Sequence, residues 1–146
     1  MPLKIELKPF ERLIIGGASI RNGDRRSSFI LETNTRFLRE ADIIVEQDAN
    51  TPCKRLYVAL EFVYLSDDPS DPENIFVSLA NELMQAAPST GPYIMRIHDC
   101  LSKKEFYQAL KVGKELIAYE EELLARAVPA GTPAKVDEAK AEDAKG

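Results

Sequence analysis

The hydrophobic pattern of this chain changes period once, shortly after residue 38, and that change sets the fold class. Before it, Leu3, Ile5 and Leu7 alternate with Lys4, Glu6 and Lys8, the period-2 signature of a half-buried strand. Pro9 ends that run because it cannot donate to a ladder. Arg12 to Ile15 reads as a second strand, Gly16-Gly17 as a tight turn, and Ala18 to Arg21 as a third strand. Asn22-Gly23 is a strong hairpin signal and predicts a type I′ turn. Ser27 to Glu32 and Arg36 to Leu38 complete about five short strands.

After residue 48 the period is helical. Thr51-Pro52 pairs a capping hydroxyl with proline at the first helical position. Cys53, Leu56, Leu60 and Val63 then fall on one face, and Val58, Phe62 and Leu65 on another. An element so apolar all round belongs at the centre of a bundle. Ser70-Asp71-Pro72 starts a second helix, with Ile75, Phe76, Leu79, Leu83 and Ala87 on its buried face. A short helix is expected over Tyr93–Cys100. Ser102-Lys103-Lys104-Glu105 reads as a capping box that opens a long helix to about Ala127. Its two apolar stripes, Phe106, Leu110 and Ile117 beside Val112, Leu116, Tyr119 and Leu123, call for two neighbours. One expected neighbour is a partner protein, seated at Leu116 and Tyr119. From Val128 the sequence is too poor in large hydrophobes to repay ordering and predicts a flexible tail. The expected organisation is α+β: a small antiparallel β domain at 1–47, a helical domain at 48–127 and a tail at 128–146.

Charge is divided along the same boundary. The chain of 146 residues carries a net −5. Residues 1–39 hold eight Lys/Arg against four Asp/Glu, and the remainder holds eleven bases against twenty acids. A locally basic sheet on an acidic body meets an anion in one place and repels it elsewhere. The candidate anion contacts are Lys8, Arg25 and Arg26 after Asn22-Gly23, and Arg39 at a strand end, where a guanidinium fork suits phosphate or a guanine edge.

Catalytic patterns are missing from the sequence. There is no HExxH, paired CxxC, P-loop or GxSxG. The single histidine, His98, lies in an apolar stretch and reads as a structural residue. Cys53 and Cys100 read as two buried, reduced thiols, and Glu120-Glu121-Glu122 as a solvated helix face. No apolar run nears the roughly 20 residues that a spanning helix needs. The expectation is a non-enzymatic cytoplasmic protein with no cofactor, small-molecule substrate or membrane association.

The segments MPLKIELKP, IIGGA, IRNGDRRSSF and LREADI together resemble the opening of the FlbT family of flagellum biosynthesis repressors, and the similarity continues through TPCKRLYVALEFVYL to about residue 120. The resemblance implies post-transcriptional repression of flagellin synthesis. In that role the protein binds the 5′ untranslated region of flagellin mRNA, promoting its decay or blocking its translation. FlaF or flagellin would be the partner. A fainter resemblance, over residues 1–45, is to the RNA-binding regulator CsrA. It implies a homodimer, and RNA contacts at the positions of Lys8 and Arg39; a further basic position of that family falls on Leu7. The alternative is an adaptor that binds FlaF or flagellin and affects mRNA indirectly.

Overall fold

The computed structural model describes residues 2–127. Five strands come first: β1 (Leu3–Leu7), β2 (Arg12–Ile15), β3 (Ala18–Arg21), β4 (Ser27–Leu31) and β5 (Phe37–Arg39). Four helices follow: α1 (Pro52–Leu65), α2 (Ser70–Ala86), α3 (Gly91–Ser102) and α4 (Phe106–Ala127). The α+β order expected from the change of period is the order observed. The strands form two sheets rather than one. β1 pairs antiparallel with β4, and β2 lies between β3 and β5, antiparallel to both.

This pairing corrects the reading of Asn22-Gly23. β3 and β4 are consecutive but belong to different sheets, so residues 22–26 form a sheet-to-sheet connection and not a two-residue hairpin. Positive φ among the glycines falls at Gly16 (φ 55) instead. There Ile15 pairs with Ala18 across Gly16-Gly17, and glycine takes that conformation without a Cβ penalty. Ile5, Leu7 and Leu13 form the core between the strands, with Ile15, Phe29, Leu31 and Phe37 packed against it.

The chain divides into two compact units, Met1–Gly113 and a second beginning at Lys114. The first therefore takes in all five strands, α1 to α3 and the start of α4. Within it, the Thr51 hydroxyl accepts from the Lys54 amide at 3.2 Å, and Pro52 opens α1 as expected. Cys53, Leu56, Leu60 and Val63 are all buried, whereas Phe62 on the second stripe is 51% exposed. Gly113 lies against α1: a Cβ there would fall 2.9 Å from Tyr57 Cδ1.

Ser102 does not cap α4. It is the last residue of α3, and its hydroxyl donates to the His98 carbonyl at 3.0 Å. The Lys104 amide bonds the Leu101 carbonyl, and the Glu105 amide bonds the Cys100 carbonyl, with Lys104 at φ 60. That is a Schellman ending, so SKKE stops one helix where the capping-box reading starts another. His98 is exposed rather than structural, and Cys100 is only half-buried, while Cys53 is buried.

In the second unit, described to residue 127, Arg126 bonds Glu122 one helical turn earlier at 3.4 Å. Glu120 is buried, unlike Glu121 and Glu122. Leu116 is fully buried and Tyr119 half-buried, so Leu116 offers no surface to a partner as the helix stands; the exposed apolar side chain here is Leu124. The tail reading for 128–146 lies outside the described residues.

Candidate nucleic-acid interface

Two turns at one rim of the strand region gather the cationic residues. The first, Lys8-Pro9-Phe10-Glu11, is closed by the Glu11 amide donating to the Lys8 carbonyl at 3.1 Å. The second is the 22–26 connection. Asn22 joins them: its Nδ2 donates to the carbonyls of Lys8 and Arg25, both at 2.8 Å, and to that of Leu7 at 3.3 Å. Its Oδ1 accepts from the Ser27 hydroxyl at 2.7 Å. The Phe10 amide adds a bond to the Gly23 carbonyl at 2.8 Å. One side-chain amide thus binds both the Lys8 and the Arg25 backbone, which fixes their separation. The sequence signal at Asn22 was real, but it is the amide side chain and not the turn type that matters.

Lys8, Arg25 and Arg26 are exposed, and none makes an ion pair or side-chain hydrogen bond among the described residues. The structure therefore brings three of the four candidate anion contacts to one rim. Arg39 differs. Its Nη2 donates to the Glu6 carbonyl at 2.6 Å, tying β5 to β1 across the two sheets, so part of its fork serves the fold. Arg21 likewise donates from Nη1 to the Phe10 carbonyl at 3.0 Å. Arg12 stands directly opposite Arg21 in the β2–β3 register. Like charges facing each other across a ladder repel, and the Glu40 carboxylate, which accepts from the Arg12 amide at 2.7 Å, offsets part of that charge.

Phe10 was not singled out by sequence. It occupies the third position of its turn at φ 62 and is 57% exposed. Pro9 before it was the available signal, since proline at the second position and positive φ at the third is the type II pattern, where glycine or asparagine is the ordinary occupant.

A second feature lies on α1. The Glu61 carboxylate is buried, with Oε1 accepting from the Ile44 amide at 3.2 Å and Oε2 without a partner. Burial pushes its pKa up to about 8; the Ile44 bond opposes the shift, and the nearby Asp42 charge adds to it. Asp42 is itself held by two tyrosines: the Tyr57 hydroxyl donates to its carbonyl at 2.7 Å and the Tyr107 hydroxyl to its Oδ2 at 3.0 Å. These bonds strap the 40–48 segment onto the helices. Beside it runs an open, mainly apolar cavity of about 420 Å³ whose lining includes Arg55, Val58, Phe62 and Ile75. Among the described residues no group of three or more His, Cys, Asp or Glu could hold a metal ion, and no helix is long and apolar enough to cross a membrane.

The geometry defines a class: an α+β protein whose strand region carries free cations on a rim stitched by polar bonds. The chain belongs to the FlbT family of flagellar proteins, whose model, described as "Flagellar protein FlbT", matches residues 3–124. It is 40% identical to the probable flagellum biosynthesis repressor protein FlbT 1 of Bradyrhizobium diazoefficiens, over 84% of this chain and 85% of that one. It is 39% identical to the probable repressor FlbT of Rhodopseudomonas palustris, over 86% of this chain and all of that one. The flagellum biosynthesis repressor protein FlbT of Caulobacter vibrioides is 33% identical over 85% of this chain and 90% of its own length. No solved structure matches the chain, and these comparisons do not show the fainter likeness to CsrA.

Proposed function

We propose that this protein represses flagellum biosynthesis after transcription, by binding the 5′ untranslated region of flagellin mRNA and blocking its translation or exposing it to decay. The repressor role follows the names of its FlbT relatives. The observation that carries RNA contact is the rim itself: Lys8, Arg25 and Arg26, exposed and outside any ion pair, on two turns locked together by Asn22. Free cations at fixed spacing suit the phosphates of a single strand. Arg39 adds a partly committed guanidinium at the adjoining strand end. In this reading the protein is a cytoplasmic homodimer, is not an enzyme, and needs no cofactor.

The test is a mobility shift on flagellin leader RNA across a salt series. Three neutralised phosphates give a slope of log affinity against log salt near about −2 for a single strand. Replacing Arg25 and Arg26 by Gln should flatten that slope by about one to one and a half. Absence of salt-dependent binding by the parent protein would overturn the reading.

A second reading rests on the apolar cavity beside Phe62 and Ile75, both more than half exposed, and on the net charge of −5. It makes the chain an adaptor for FlaF or flagellin, with indirect effects on mRNA. Such a contact is carried by apolar anchors, so its affinity would depend little on salt.

A further inference from the structure

We propose that Phe10 is a stacking platform for an unpaired nucleobase, placed so that a base lying on its ring sets the flanking phosphates against Lys8 and Arg25. The inference rests on the RNA-binding reading and deepens it. Three observations carry it.

The first is backbone conformation. Phe10 sits at φ 62 in a turn where glycine or asparagine is at ease. A bulky side chain there costs stability. The second is exposure. A strained aromatic residue would be offset by packing if it were buried, yet 57% of Phe10 faces solvent, so folding gains little from the ring. The third is the setting. The Phe10 amide is bonded to Gly23, its carbonyl accepts from Arg21 Nη1 at 3.0 Å, and the neighbouring Lys8 and Arg25 carbonyls share the Asn22 amide. The amide and carbonyl of Phe10 and the carbonyls of Lys8 and Arg25 are thus all bonded, while the ring and the side chains of Lys8 and Arg25 stay exposed. Two acids stand close in sequence. The Glu11 carboxylate already accepts from the Lys8 amide at 2.8 Å, and Asp24 is outnumbered by Lys8, Arg12, Arg21, Arg25 and Arg26 on the same two turns and their flanking strands.

An aromatic face among cations is how single strands are bound without reading base identity. Charge alone would fix phosphates at this rim and leave the base side of the strand unsupported. The ring supplies that support and makes the site prefer unpaired RNA to duplex, whose bases are already stacked.

The experiment measures binding of a short, unstructured, fluorescently labelled RNA and of a copy carrying 2-aminopurine, using the full chain. Phe10→Gly keeps the turn, because glycine adopts φ 62 freely, and should melt no lower than the parent. It should lower affinity about 5- to 100-fold, the range for losing one stacked base, while leaving the salt slope unchanged. Phe10→Tyr should bind within about twofold of the parent. The 2-aminopurine signal should change on binding to the parent and to Phe10→Tyr but not to Phe10→Gly. If the parent binds RNA and Phe10→Gly binds it equally well, this inference fails and the RNA reading stands. If Phe10→Gly loses affinity through a shallower salt slope, the ring only positions charge and the inference fails too. A parent that binds neither RNA overturns both.

Discussion

The strand rim and the α1 helix hold their residues in place by opposite means. At the rim the work is done by polar bonds to backbone: Asn22 to the Lys8 and Arg25 carbonyls, Arg21 to Phe10, Arg39 to Glu6. The charged side chains of Lys8, Arg25 and Arg26 are left facing water. On α1 the work is done by packing, with Leu56, Tyr57, Leu60 and Val63 at or below 1% exposure, and the one carboxylate on that buried side, Glu61, is kept from water. A binding surface needs fixed positions and free side chains, which polar stitching supplies. A scaffold needs close packing, which leaves no room for free groups. Substitutions in α1 should therefore change stability, and substitutions at the rim should change binding.

The strongest way to break that comparison is Gly113. A Cβ there meets Tyr57 Cδ1 at 2.9 Å and Leu60 Cδ1 at 3.2 Å. Alanine gains about 1 kcal/mol of helix propensity, which offsets part of the overpacking cost of about 1–3 kcal/mol. Valine adds two methyl groups in the same space and loses most of that propensity gain. Gly113→Val is expected to cost about 3 kcal/mol or more in denaturant unfolding, with RNA affinity of the folded fraction unchanged. A valine variant as stable as the parent would show that α1 and the start of α4 are not closely packed.

Glu61 gives a smaller effect with a defined sign. Its folded pKa is raised from 4.5 to about 8, so between those values the folded chain keeps a proton that the unfolded chain has released. Stability should fall as pH rises through that window, because folding there takes up a proton. Glu61→Gln keeps an acceptor for the Ile44 amide and removes the charge. Above pH 8 it should be more stable than the parent by about 2 kcal/mol, a discounted share of the desolvation that ionisation brings. Below pH 5 the two should converge. Parallel stability curves for parent and variant from pH 5 to 9 would mean that the carboxylate is hydrated when ionised.

The fold was legible in the sequence because period and end signals are local. Alternation gave β1, Thr51-Pro52 gave the start of α1, and the stripe from Cys53 to Val63 gave its buried face. What was not legible depends on partners distant in the chain. Asn22-Gly23 looks like a hairpin until β3 and β4 are seen to join different sheets. SKKE has capping-box spacing, yet α3 arrives there first and uses it as an ending. Glu61 hides among apolar neighbours on α1, and only the Ile44 amide from the preceding strap explains how it is tolerated. The positive charge of the strand region was legible from composition. Phe10 had only Pro9 as a local signal, and the turn that exposes it is locked by residues 21 to 23.

The subtlest test sets stability against binding at one residue. Asn22 makes three side-chain hydrogen bonds to the carbonyls of Leu7, Lys8 and Arg25, and accepts a fourth from Ser27. All are at or near the surface, where water replaces a lost bond at a net cost of about 0.5–1.5 kcal/mol each. The carbonyls share one nitrogen, so their contributions do not add in full. Asn22→Ala is expected to lower stability by only about 1–2 kcal/mol, less than Gly113→Val. Its effect on RNA binding should be out of proportion to that loss, since Lys8 and Arg25 no longer hold a fixed separation and the cost of ordering two turns moves into the binding step. Calorimetric melting and salt-series binding on the same sample measure both quantities. Asn22→Asp is the sharper variant, because it removes the donor, keeps the acceptor for Ser27 and places a negative charge beside the site. If either variant binds RNA like the parent, polar stitching is not what organises the rim, and the contrast between the two regions disappears.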